Sequence, residues 1–232
     1  MTSSRRTTPP ALGVFVTGTD TDVGKTLISA ILAKAWAADY WKPFQTGMAT
    51  ACDDTATVTA LLGAGSRQYP PACALQAPLA PWAAARLEGI TLDVTGIRLP
   101  HTTQPLVVEG AGGLLVPIDE KHMMIDLAAR LALPVVLVAR STLGTINHTL
   151  LSLQALAARD LPVLGVVMNG PLSPGNRQAL EHFGQTPILA EIPWLDAVNP
   201  RTVAEAASRV TPLQAALIQA GLAWRSQPGI HK

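Results

Sequence analysis

The chain has 232 residues, is 48% hydrophobic and 14% charged, and carries a formal net charge of +1. That is enough globular sequence for one full α/β core and too little charge for a disordered chain. Near-neutrality leaves no basic field for nucleic acid or an anionic membrane, and the longest apolar runs, such as residues 133–139, are far too short to span a bilayer.

In chain order, Arg5 and Arg6 are followed by Thr-Thr-Pro-Pro, not by an apolar signal core, so residues 1–10 are expected to be a flexible lead-in. The folded domain is expected over 11–225, with a tail at 226–232. Strands are predicted at 14–17, 106–109, 114–117, 135–139, 163–168 and 188–189. Helical patterns fall at 26–38, 54–62, 126–131, 147–159, 177–183 and 203–220. Continuous apolar runs, without period-two alternation, mark strands covered on both faces. The expected fold is a single doubly wound α/β domain, a mostly parallel sheet flanked by helices. Cys52 and Cys73 are not spaced as a C-x-x-C and read as two reduced thiols. Ligands of such a sheet gather beyond the carboxyl ends of its strands, where the motifs below fall.

The segment Val16-Thr-Gly-Thr-Asp-Thr-Asp-Val-Gly-Lys-Thr26 leads from a strand into a helix. Backbone N–H groups in such a turn surround phosphate oxygens, and the helix N-terminus adds a favourable dipole. Lys25 is placed to reach the outer phosphates and the Thr26 hydroxyl to ligate magnesium, the P-loop arrangement. Thr19 takes the place of the usual first glycine, with Gly18 one residue earlier. Asp22 sits inside this loop, where a carboxylate beside phosphates calls for an intervening cation or amine.

Asp53 and Asp54 precede a helical stretch, and either a cap or a metal-ligand role suits them. Glu109 closes an apolar strand and is followed by Gly110, Ala111, Gly112 and Gly113. A buried carboxylate there requires a cation, which favours a metal ligand. Lys42 precedes Pro43 and reads by default as an ordinary surface lysine; the case for a functional role rests on the small polar turn Gln45-Thr46-Gly47, suited to gripping a substrate beside the phosphates.

Residues 18–26, Lys42-Pro-Phe-Gln-Thr-Gly47, Glu109-Gly-Ala-Gly-Gly113, Gly144-Thr-Ile-Asn-His148 and Glu191-Ile-Pro-Trp-Leu195 together resemble the signatures of the dethiobiotin synthetase family, in the expected order. The resemblance implies a reaction of 7,8-diaminononanoate, carbon dioxide and ATP as co-substrate, with Mg2+, in a cytoplasmic homodimer. It implies that Thr26, Asp54 and Glu109 hold the metal, and that Asp22, Val23, Gly24, Lys25, Thr26, Leu27, Asp54 and Glu109–Gly110–Ala111–Gly112 line the nucleotide. Asn169, Gly170, Pro193, Trp194 and Leu195 would border the base. Lys42 and Thr46 fall to the carbamate end of the substrate, and Thr21 to the loop face near the transferred phosphate, so that Lys42, Lys25 and Thr21 form the catalytic set. Gly144, Thr145, Ile146 and Asn147 would grip the substrate carboxylate from the partner subunit, although Asn147 also suits an N-cap. His148 is expected to be structural.

Three features depart from that pattern. Asp22 replaces a longer glutamate. The segment before Lys42 is short, so the second strand is expected to be abbreviated or the first helix clipped, with Trp36, Tyr40 and Trp41 around that corner. Arg201 stands where relatives often place a glutamate that accepts from adenine; arginine only donates, which predicts loose base selectivity. A partitioning-type ATPase would carry a lysine near Asp20, an iron–sulfur carrier a C-x-x-C, and a cobyrinic acid amidating relative a glutaminase domain; this sequence has none of them.

Overall fold

The computed structural model describes residues 13–50, 53–63 and 65–222. The expected lead-in at 1–10, the tail at 226–232 and Cys52 lie outside the described residues; Cys73 is a free thiol. Strand β1 (Gly13–Gly18) feeds helix α1 (Lys25–Ala35), then come β2 (Asp39–Trp41), β3 (Phe44–Gln45), a 3-10 turn at Met48–Thr50 and α2 (Asp54–Leu62). Next are β4 (Gln68–Tyr69), β5 (Cys73–Ala74), α3 (Pro81–Glu88), β6 (Leu106–Gly113), α4 (Met124–Leu131) and β7 (Val135–Arg140). The chain closes with α5 (Thr145–Ala157), β8 (Val163–Asn169), α6 (Pro174–Gly184), β9 (Ile188–Ile192), α7 (Pro200–Ala207) and α8 (Leu213–Gln219).

Seven strands form one parallel sheet in the order β4-β2-β6-β1-β7-β8-β9, and β3 with β5 makes a separate two-stranded parallel pair. The apolar runs are buried because helices cover both faces. Val14, Val16, Val107, Val136 and Val138 point into one core with residues of α1, α2, α7 and α8. Phe15, Val108, Val135, Leu137 and Val166, one position out of phase, point to the other side, where α3, α4, α5 and α6 lie. Period two is therefore present in direction although both directions are apolar. Among the described residues no helix is long and apolar enough to cross a membrane.

Three expectations require correction. Residues 114–117 are not a strand. Gly112 adopts φ 68°, Val116 N–H turns back to the Gly113 carbonyl, and Pro117 makes only an isolated bridge to Met123. The helix expected at 203–220 is two helices, broken where Pro212 lacks an N–H and the preceding Thr211 N–H bonds to the Leu189 carbonyl. Trp36, Tyr40 and Trp41 do not gather at one corner. Trp36 and Tyr40 join the core on one face, Trp41 the opposite one, because neighbouring residues of β2 point to opposite sides. The short segment before Lys42 is accommodated in both of the ways anticipated: α1 ends at Ala35 and β2 has three residues.

Candidate active site

The phosphate loop leaves the carboxyl end of β1, its Thr19 N–H bonded to the Val138 carbonyl of β7. Asp20 shapes the loop: its side chain accepts from Thr21 N–H at 2.7 Å and from Arg140 at 3.2 Å, and its carbonyl accepts from Lys25 Nζ at 3.0 Å. Asp22 adopts φ 55° and Gly24 φ 89°, a left-handed pair that turns the chain into α1. At Gly24 a side chain is disfavoured twice over, since a Cβ would also stand 2.2 Å from Asn169 Nδ2. That amide donates to the Val23 carbonyl at 2.8 Å, tying the end of β8 to the loop.

Below the loop four predicted residues meet. The Thr26 hydroxyl donates toward Asp54 Oδ1 at 2.7 Å and Glu109 Oε1 at 3.0 Å. Lys42 Nζ lies 2.5 Å from Asp54 Oδ2 and 2.9 Å from Glu109 Oε1. Strand register explains the second contact: Trp41 pairs with Val108, so the next residues along the parallel strands, Lys42 and Glu109, come side by side. The two aspartates divide the roles left open by the sequence. Asp53 caps α2 by accepting from Ala56 N–H, while Asp54, one residue on, reaches the cluster. Gln45 steadies it by accepting from Asp54 N–H at 3.3 Å.

In this cluster two carboxylates face one ammonium. Burial opposes the Lys42 ammonium, but Glu109 and Asp54 outweigh it and hold the lysine above its ordinary value. Burial likewise opposes the Asp54 carboxylate, and Lys42, followed by the hydrogen bonds from Lys42, Thr26 and Gln45, draws it below the usual range. Burial lowers Lys25 despite the nearby carboxylates. The Lys25 ammonium donates to the neutral carbonyl of Asp20, an arrangement that suits an anion. Thr26, Asp54 and Glu109 offer three hard oxygens around one point, the donor chemistry that magnesium takes when phosphates and waters complete its shell.

A cleft of about 540 Å3 is lined by Thr21, Asp22, Thr46, Ala111 and Gly112 among others, while Thr26, Lys42, Asp54 and Glu109 do not line it. A second, of about 320 Å3, shares Thr21 and Val116 with it and runs along α5 past His148 and Leu151. Gly144 is the N-cap of α5, so Asn147 lies in the helix and is not its cap. Thr145 turns inward, 3.5 Å from the Thr149 hydroxyl, and Asn147 is exposed. Neither lines either cleft. Gly170 and Trp194 adjoin one another at the ends of β8 and β9, where a Gly170 Cβ would stand 3.1 Å from the indole nitrogen. Two contributors escaped the sequence reading. Arg140 ends β7 beside the loop, a position at a strand's carboxyl end that was a usable signal. Tyr40 donates to Glu109 Oε2 at 3.0 Å, and its spacing of two from Lys42 on one strand was the other.

A parallel sheet with a Gly-Lys-Thr loop at the end of its central strand, two buried lysines and a hydroxyl–carboxylate cluster defines a P-loop nucleotide-binding protein. The family described as "AAA domain" matches residues 12–202. Over 192 residues the chain is 57% identical to the ATP-dependent dethiobiotin synthetase BioD of Paramagnetospirillum magneticum, covering 83% of this chain and 93% of that protein. It is 46% identical over 187 residues to the protein of the same name from Rhodopseudomonas palustris, covering 80% and 88%. The biotin biosynthesis bifunctional protein BioCD of Bordetella avium is 65% identical over 192 residues, 82% of this chain but 41% of that longer protein. Among solved structures, a chain described as a plasmid partition protein of Borrelia burgdorferi, bound to AMPPNP, superposes with a TM-score of 0.51 at 10% identity over 90% of this chain and 95% of its own, which speaks to the fold alone. The chain belongs to the ATP-dependent dethiobiotin synthetase family.

Proposed function

We propose that this chain forms dethiobiotin from 7,8-diaminononanoate, carbon dioxide and ATP, releasing ADP and phosphate, in biotin biosynthesis. The relatives' names and the family membership support the overall activity. One observation carries the site assignment: the Lys42 ammonium and the Thr26 hydroxyl share the Asp54–Glu109 carboxylate pair directly behind the Lys25 loop.

In this reading one amine of the diamine adds to carbon dioxide and loses a proton, giving a carbamate. A carbamate oxygen attacks the γ-phosphorus and ADP departs, leaving a carbamic–phosphoric anhydride. The second amine attacks its carbonyl carbon, phosphate leaves, a proton is lost and the ring closes. The carbamate is anionic and weakly nucleophilic, so catalysis is mainly positioning and charge stabilisation. Lys25 takes the outer phosphates, Thr21 and the loop N–H groups the transferred one. Lys42, kept cationic by its carboxylate neighbours, offsets the carbamate charge, and Thr46 lines the larger cleft. Thr26, Asp54 and Glu109 would hold magnesium, which when bound supplies charge against the repulsion between carbamate and γ-phosphate. Leu27 and Gly110 flank the phosphates, while Asn169, Gly170, Pro193, Trp194 and Leu195 border the base.

The fully exposed Leu143, with Leu115 and Leu151 also exposed near α5, supports a homodimer in which Gly144, Thr145, Ile146 and Asn147 receive the partner's substrate carboxylate at a helix N-terminus. This reading goes with one domain over residues 11–225 and a cytoplasmic location. The test is phosphate release with magnesium-ATP, bicarbonate and 7,8-diaminononanoate, omitting each in turn. Release should require all of them, and release independent of the diamine would point to a switch-type ATPase instead.

A further inference from the structure

Glu109 is wholly buried, and its two oxygens have separate partners. Oε1 faces Thr26 and Lys42, at 3.0 and 2.9 Å. Oε2 accepts from the phenol of Tyr40, also wholly buried, at 3.0 Å. Tyr40 and Lys42 are two residues apart at the end of β2, so both project to the side on which Glu109 emerges from β6, while Trp41 between them enters the opposite core. The reaction proposed above gives Tyr40 no chemical step, yet a phenol set against a carboxylate in a water-free interior is a specific arrangement, since each leaves the other's polar atom satisfied.

We propose that Tyr40 is a positioning residue for the divalent cation: its hydroxyl engages Glu109 Oε2 and so presents Oε1, in one orientation, to the point shared with Thr26 and Asp54. The inference rests on the magnesium reading of that cluster. Outer partners of this kind fix the rotation of a ligating carboxylate and limit its choice between one- and two-oxygen coordination. Lys42 cannot substitute, because it already faces Oε1 and Asp54.

The chain has two tyrosines, Tyr40 and Tyr69, which gives the test an internal control. Tyr69, on the strand β4 next to β2, packs into the opposite core from Tyr40 and hydrogen-bonds to Asp39 and to the His101 carbonyl. In protein labelled with 13C at the tyrosine Cζ, the two resonances are assigned with Tyr69→Phe and followed as magnesium is added in the presence of a non-hydrolysable ATP analogue. The Tyr40 resonance should move while that of Tyr69 stays. Calorimetry of the same analogue should show Tyr40→Phe needing about tenfold more magnesium for half-saturation, with metal-free nucleotide binding unchanged. A stationary Tyr40 resonance, equal movement of both, or a Tyr40→Phe variant with wild-type magnesium dependence overturns the proposal. Should Tyr40→Phe not fold, the wild-type resonances decide alone. If wild-type protein binds the analogue without any dependence on magnesium, the metal reading itself fails and takes the proposal with it, a result recognisable because it needs no variant.

Discussion

Lys42 Nζ stands 2.9 Å from Glu109 Oε1 with both side chains buried, Lys42 just past the end of β2 and Glu109 on the adjacent parallel strand β6. Removing such charges from water costs several kcal/mol each, and their attraction rarely repays it unless further hydrogen bonds complete the site. Here Asp54, Thr26 and Tyr40 complete it. A pair assembled at that cost where α/β folds bind ligands is better explained by chemistry than by stability.

Lys42→Met should abolish diamine-dependent phosphate release, by at least about a thousandfold on the scale of lost electrostatic catalysis. It should also destabilise the ligand-free protein by about 3 kcal/mol, because Glu109 then lacks its buried counter-charge. The geometry thus makes Lys42 matter to folding as well as to turnover. Denaturant melts with and without magnesium separate the two effects: the metal should restore much of the lost stability and none of the activity. Unchanged turnover would remove Lys42 from the catalytic set.

The same cluster sets a pH dependence. The depressed Asp54 contributes stability that is present above the ordinary aspartate value of 3.8 and lost as pH falls through its lowered folded value. The raised Lys42 contributes stability present below 10.5 and lost as pH rises through its raised folded value. Across neutral pH the pair's contribution should therefore be flat. Urea midpoints measured against pH should show an acid decline that is shallower in Asp54→Asn than in wild type; identical acid limbs would count against the pairing.

Gly24→Ala tests the loop. Its φ of 89° strains any residue with a side chain, and a methyl group 2.2 Å from Asn169 Nδ2 would push that amide off the loop. The variant should bind ATP at least about tenfold more weakly, a loss on the scale of the 1–3 kcal/mol such strain costs. Isothermal calorimetry gives the number, and wild-type affinity would mean that Asn169 does not brace the loop.

How much of this was readable in advance depends on the length of each signal. β1, β6, β7 and β8 are long apolar runs and lie where expected, as does the loop ending in Lys25–Thr26, but β6 runs on through the glycines to Gly113, so Glu109 sits within the strand and does not close it. The two- and three-residue strands β2, β3, β4 and β5 carry too little periodicity to stand out, although β2 delivers Lys42. Helix α3 was missed despite Pro81 at its start and Gly89 at its end, both available start and stop signs. The run at 114–117 looked like a strand because its residues are apolar, but Leu115 is exposed and the glycines before it turn the chain away. Asp53 and Asp54 could not be told apart without the helix rotation that sends one to the cap and the other inward.

The expectation of loose base selectivity rests on Arg201. It lies in the first turn of α7, largely exposed, its guanidinium 2.9 Å from Glu205 one turn on, and it offers only donors. Turnover with ATP, GTP and CTP should be comparable, within about tenfold, and Arg201→Glu should shift the preference toward ATP. A strong wild-type preference for ATP would show that adenine is read elsewhere.

The most direct measurement is a crystal structure with magnesium, a non-hydrolysable ATP analogue and 7,8-diaminononanoate. Oxygens of Thr26, Asp54 and Glu109 should surround one metal at about 2.1 Å, with Lys25 on the phosphates and Lys42 at the diamine. A metal bound away from those three residues, or a triphosphate and diamine held in separate clefts, would contradict the account.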